Sequence, residues 1–195
     1  MDTTAAVATL ACVLSLGCNA CLSQRHFEPS GADEPTRVNV HVVVWPEESL
    51  VLAHLMLGRY GVPEEVHSDR LVWLARWPWK RIVVSTGPAG TPLEQVVDYR
   101  VPPEKLEDVE SFSSHLRVDA ARGELSSLSD REDYNRLALN LADDVVCGRM
   151  TPAQARRFFA RTVRLAVTGK SSPYTKRLFF APLPPESESS RMDRF

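Results

Sequence analysis

The chain has 195 residues and a mass of 21.8 kDa, which at roughly 150 residues per domain is room for one core. Its 23 basic and 25 acidic side chains leave a net charge of -2, without the basic footprint of a general nucleic-acid binder. Hydrophobic and charged fractions of 44% and 25% exclude wholesale disorder, collagen-like repeats and a polytopic membrane protein.

The first element is an uncharged apolar run from Ala5 to Gly17, of signal-peptide length and short of the roughly 20 residues that span a bilayer. It reads as an export signal over residues 1–20, followed by a polar, Pro- and Gly-bearing tether over 21–37. Leu14-Ser-Leu-Gly-Cys18 resembles a bacterial lipobox, which implies that Cys18 is lipidated. The match departs from the pattern at Ser15 and Leu16, and the basic n-region is missing, since Asp2 is the only charge before Arg25. Cleavage after Ala20 and a buried N-terminal helix are the alternatives. Cys12, Cys18 and Cys21 lie in or beside this segment, so the globular part keeps only Cys147. That residue sits in an apolar helical run and reads as a small core residue.

The globular part, residues 38–181, opens with Val38 to Trp45, a β-branched strand closed by Pro46. Glu47, Glu48 and Ser49 then start a helix through Leu57, with Gly61 as its stop. Leu71-Val-Trp-Leu, Trp79-Lys-Arg-Ile-Val-Val and Leu93 to Val101 are strands joined by connections too short for a parallel crossover, hence an antiparallel meander. A short helix over 104–112 and an edge hairpin at Leu116-Arg-Val and Gly123-Glu-Leu come next. Ser129-Asp-Arg-Glu132 has the capping-box pattern, opening a helix with Tyr134, Leu137, Leu141, Val145 and Cys147 along one stripe. Thr151-Pro-Ala-Gln154 repeats the start with Pro at the first helical position, and Phe158, Phe159, Val163 and Val167 are core candidates. From Pro182 onward the tail, 182–195, is rich in Pro, Ser and Glu and reads as disordered. The fold class is α+β, an antiparallel sheet packed on helices as a two-layer sandwich.

The densest chemical cluster is Trp73, Arg76, Trp77, Trp79, Lys80 and Arg81, a set able to hold an anionic or aromatic ligand, or a partner, by charge and cation–π contact. Strand alternation explains the same residues by packing, with Trp79, Arg81 and Val83 on one face and Lys80, Ile82 and Val84 on the other. The five histidines lack the paired four-residue helical step of a zinc site. The candidate metal set is His41, His54, Asp143 and Asp144, for which core, edge and solvated-face roles are the plainer explanation. Gly169-Lys-Ser171 lacks the upstream glycine of a phosphate loop and follows a helix where the motif must precede one. No Gly-x-Ser-x-Gly is present. Nothing calls for a cofactor.

From Tyr60 to Tyr174, about three fifths of the chain, the sequence resembles a family of uncharacterised bacterial proteins. The blocks that carry the resemblance are Tyr60-Gly-Val-Pro-Glu-Glu-Val66, Leu71-Val-Trp73, Pro78-Trp-Lys-Arg81, Leu93-Glu-Gln-Val-Val-Asp-Tyr-Arg-Val-Pro-Pro103, Gly123-Glu-Leu-Ser126, Asn135-Arg-Leu-Ala-Leu-Asn-Leu-Ala142 and Ser172-Pro-Tyr174. The resemblance implies kinship and no assigned activity. Its members carry a longer loop with two histidines and an acid where this chain has Ser85 to Pro92, a Cys at the place of Ser129 and a His at that of Asp143. A site built on those residues would be mostly lost here. A looser likeness, in the order of helix, Gly61-Val-Pro63 turn and Trp73 strand, is to small envelope lipoproteins of the outer-membrane assembly type. The expectation is an exported envelope protein, anchored in the membrane through a lipid on Cys18, that binds or scaffolds an envelope protein without chemistry of its own. The alternative is a metal-dependent or hydrolytic enzyme with a degenerate site.

Overall fold

The computed structural model describes residues 45–87 and 90–183. The export segment with Cys18, the tether, residues 38–44 of the strand expected over 38–45, with His41, and residues 184–195 lie outside them; Trp45, the last residue of that expected strand, is a buried bend before α1.

Helix α1 (Glu47–Tyr60) carries Glu47 and Glu48 in its first turn and Arg59 in its last, each sign favourable to the helix dipole. It stops at Gly61, whose φ of 76° suits glycine and whose N–H donates to the Leu57 carbonyl at 3.0 Å. Strands β1 (Glu65–Val66), β2 (Arg70–Arg76), β3 (Trp79–Ser85) and β4 (Leu93–Asp98) follow as a meander. A 3₁₀ turn at Pro103–Lys105 leads into α2 (Leu106–Phe112), then come β5 (Leu116–Asp119) and β6 (Glu124–Ser129). Helices α3 (Glu132–Val146), α4 (Pro152–Val167) and the short α5 (Pro173–Lys176) complete the chain.

All neighbours in the sheet are antiparallel, in the order β1-β2-β3-β4-β6-β5. The fold is therefore α+β, as the turn spacing requires. The expected edge hairpin is corrected in one respect: β6 pairs with β4, so of its two strands β5 alone lies at an edge. Register places Trp73, Ile82, Gln95, Ser127 and Leu116 in one row across the sheet. Around that row Leu71, Val84, Leu93, Val97 and Leu125 form one core with Leu52 and Met56 of α1, Val109 and Phe112 of α2, Leu137 and Leu141 of α3, and Ala155 of α4. Gln95 and Asn135 are polar side chains fully buried beside it. The Asn135 amide donates to Gln95 Oε1 at 3.2 Å and to the Leu93 carbonyl at 3.3 Å.

Two expected helix starts end differently. Thr151 and Gln154 form the reciprocal capping box. Ser129 does not cap α3: its hydroxyl closes a tight loop on the backbone of Arg131, which occupies the N-cap without a side-chain bond. Cys147 also departs from expectation, being exposed just past the end of α3, where the helix axis has turned it off the apolar stripe. Val167, at the end of α4, is 83% exposed rather than core. The first two residues of the segment expected as tail are packed on the domain: Pro182 is buried and the Leu183 N–H donates to the Asp98 carbonyl at 2.9 Å.

Candidate functional site

Helix α1 is apolar nearly all round, more than one core-facing stripe requires. Leu52, Ala53 and Met56 are buried, while Val51 and Leu55, one turn apart, are 53% and 58% exposed. They open into a groove of about 1070 Å³ along the helix. Its far walls are the start of α3, with Asp130, Arg131 and Asp133, and Thr175 and Lys176 of α5. Glu47 and Glu48 stand at one end of α1 and Arg59 at the other, so an apolar floor lies between an acidic and a basic end.

The groove wall is pinned by Glu132, a carboxylate at the first position of α3 that is 7% exposed. It accepts hydrogen bonds from Arg59, the Tyr60 hydroxyl and Arg136, and from the Trp79 indole at 3.2 Å. Arg136 also stacks 5.7 Å from the Trp79 ring. Burial, reinforced by the hydrogen bond to Glu132, pushes the Tyr60 phenol up to about 12. The Glu132 charge raises Arg59 as well. A buried carboxylate bound by two guanidiniums, a phenol and an indole anchors the start of α3 to α1 and the sheet.

The acidic pair Asp143 and Asp144 is similarly occupied. Arg149 reaches back to bind both carboxylates, its Nε at 2.5 Å from Asp144 Oδ1. Tyr99 donates to Asp143 at 2.7 Å and Tyr174 to Asp144 at 2.9 Å. Burial and then the hydrogen bond to its carboxylate raise each phenol; the hydrogen bonds to Asp144 and Asp143 outweigh burial and raise Arg149. Two acids that oppose the dipole at the end of α3 are thus held by one cation and two phenols. The Cys147 thiol lies 3.7 Å from Asp143 Oδ1.

The aromatic and basic cluster expected as a ligand surface is divided by the sheet. Trp73 and Trp79 are 0% and 1% exposed and belong to the core, the Trp73 indole donating to the Gly61 carbonyl at 2.8 Å. Alternation breaks at Lys80 and Arg81, consecutive residues that both bind Glu124, at 3.0 and 3.3 Å. That break lets Trp79 join Ile82 and Val84 in the core, contrary to the simple period. Lys80 also binds Asp98 at 2.6 Å, and burial, which would lower its pKa, is outweighed by the two carboxylates, which raise it. Arg76 is tied to Glu64 at 2.5 Å. Trp77, 68% exposed in the turn after β2, is the one member of the set open to solvent through its ring.

The candidate metal set is not assembled. His54 is on the exposed side of α1 and His41 lies outside the described residues. Among the described residues no three His, Cys, Asp or Glu side chains gather as an ion would need. No motif marks the groove residues Val51 and Leu55 or the anchor role of Glu132, because a helical apolar run reads as core and an acid three residues after a serine reads as a cap. The available signal was the excess of apolar residues in α1 over one face. No helix of the described residues is long and apolar enough to cross a membrane.

Comparison with family models, with curated proteins and with solved structures finds no match to this chain.

Proposed function

We propose that this protein is an exported, lipid-anchored binding module of the bacterial envelope, tethered through Cys18 and kin to the family its sequence blocks resemble, with the groove along α1 as its binding surface. The observation that carries the reading is a contrast. Glu124, Glu132, Asp143 and Asp144, the buried acids that chemistry would draw on, are each bound by side chains of this domain. Val51 and Leu55 instead present apolar surface to a groove with charged ends. Buried apolar anchors ringed by charge are how protein partners are held. The Ala5 to Gly17 run and Cys18 supply the address.

Cells expressing the full chain and its Cys18→Ser variant are fractionated, and the mature protein is weighed intact. A diacylglycerol-sized mass increase and membrane retention, both dependent on Cys18, are expected. A product starting at Cys21 would replace the anchored reading with simple secretion, and a product retaining Met1 in the cytosol would overturn export. A photocrosslinker at Leu55 tests the groove directly: an adduct lost on Val51→Glu supports it, and no adduct overturns it.

A further inference from the structure

We infer that the occupant of the α1 groove is the α1 helix of a second copy of this chain, packed antiparallel about a two-fold axis. The inference rests on the reading of the groove as a binding surface and names what fills it. Glu47, Val51, Leu55 and Arg59 follow one another at four-residue steps, so they lie in one row on the helix. All four are exposed. The row is an acid, two apolar residues and a base, evenly placed about the middle of the helix. Turned end for end, it is its own complement: Glu47 meets Arg59 of the second copy and Val51 meets Leu55, with the same pairs repeated across the axis. This is the isologous arrangement that two-fold dimers require.

The charges are available for it. Glu47 has no hydrogen-bond or ion-pair partner among the described residues, and the Arg59 side chain is 54% exposed although one nitrogen binds Glu132. Gly58 supports close approach. It sits in the last turn of α1 beside Arg59, a poor helix former with open space where a Cβ would stand, and no contact within the described domain accounts for it. Helix axes in such pairs lie about 8–10 Å apart, and the walls at Asp130 and Lys176 would extend the buried area toward the roughly 800 Å² per partner of a specific interface. Copies confined to one membrane surface by a lipid anchor meet at high effective concentration, so a modest affinity suffices.

The test uses the full chain carrying Cys18→Ser, which removes the acyl acceptor, in analytical ultracentrifugation at micromolar concentration. A dimer is expected. Leu55→Glu should yield a monomer with an unchanged circular dichroism spectrum, and Glu47→Lys should weaken the dimer at least about tenfold by placing like charges together. Arg59→Glu should do the same alone and, mixed with Glu47→Lys, restore a heterodimer, because the mixture regains opposite charges at both ends. If Arg59→Glu fails to fold beside Glu132, the two other variants decide. A monomeric parent chain, or a dimer indifferent to Leu55→Glu, overturns the inference. A Leu55 crosslink to a different protein from a monomeric chain also overturns it while leaving the binding reading intact; absence of any adduct overturns both.

Discussion

The indole of Trp79 on β3 donates to the carboxylate of Glu132 on α3, joining residues 53 positions apart in the chain at 3.2 Å. This bond fixes the start of α3 against the sheet and so sets the wall of the α1 groove. Glu132→Ala removes the anion and leaves Arg136 and the Tyr60 hydroxyl without their acceptor, and the Trp79 indole with only the Tyr60 hydroxyl, at 3.0 Å. Breaking a buried pair in this way costs about 3–5 kcal/mol. Glu132→Gln keeps an acceptor and should cost about 1.5–3 kcal/mol. Thermal unfolding monitored by circular dichroism should therefore rank parent, Gln and Ala in descending Tm; a Gln variant as stable as the parent would show that the charge is not what holds the wall.

Asn140 fastens the C-terminal strap. Its amide donates to the carbonyls of Tyr174 and Arg177 at 2.9 and 2.8 Å, and its Oδ1 accepts the Phe179 N–H at 2.7 Å. Asn140→Ala leaves those backbone groups unpaired at about 1–3 kcal/mol each, offset where water reaches them. Local opening should exceed global destabilisation, so trypsin should cut after Lys176 or Arg177 many times faster than in the parent while the Tm falls only modestly. Unchanged cleavage would place the fastening elsewhere, in Tyr174 with Asp144.

The raised phenols predict the alkaline limit of the fold. Tyr60, at about 12, and Tyr99 and Tyr174, also raised, stay protonated in the folded state above the pH at which unfolded tyrosine ionises, near 10. Groups raised on folding contribute stability that is complete below the unfolded value and lost as pH climbs through the folded one. Stability should fall between about pH 10 and 12, with tyrosinate absorbance appearing together with unfolding. Full ionisation of all four tyrosines near pH 10 with the circular dichroism intact would contradict it.

Substitution separates the two kinds of tryptophan in the β2–β3 hairpin. Trp73→Ala should cost about 3–5 kcal/mol, and Trp77→Ala should stay within about 0.5 kcal/mol. If Trp77→Ala instead abolishes capture of a partner at unchanged Tm, the exposed turn rather than the α1 groove is the contact surface.

Much of this architecture is written locally. The meander follows from the turns around Pro78 and Gly87 to Pro92, and α4 from the four residues Thr151 to Gln154, whose capping box needs nothing beyond its own turn. What is not local is not legible. Ser129 and Glu132 have the same spacing as a capping box, but the serine is claimed by Arg131 next door and the acid by Arg59, Tyr60 and Trp79. The period of two misplaces Trp79 because the β2–β3 ladder is interrupted between the Leu74–Arg81 and Arg76–Trp79 pairs, where Ala75 on β2 takes a φ of 51°. The exposed row on α1 is hidden for the opposite reason, since Val51 and Leu55 have the residue types of a core and only the packing shows which faces the sheet fills.

The placement of the four tryptophans also makes the molecule its own optical gauge. Trp45, Trp73 and Trp79 are buried and Trp77 is open, so emission should divide into a blue, acrylamide-resistant fraction and one red, readily quenched component. Trp79, with the Arg136 cation 5.7 Å from its ring, reports on the Glu132 anchor, and Trp77 reports on the turn. Replacing Trp77 by Phe would leave a spectrum from interior rings alone, in which a shift to the red on dilution, on titration or in a variant marks the core and the groove wall coming apart.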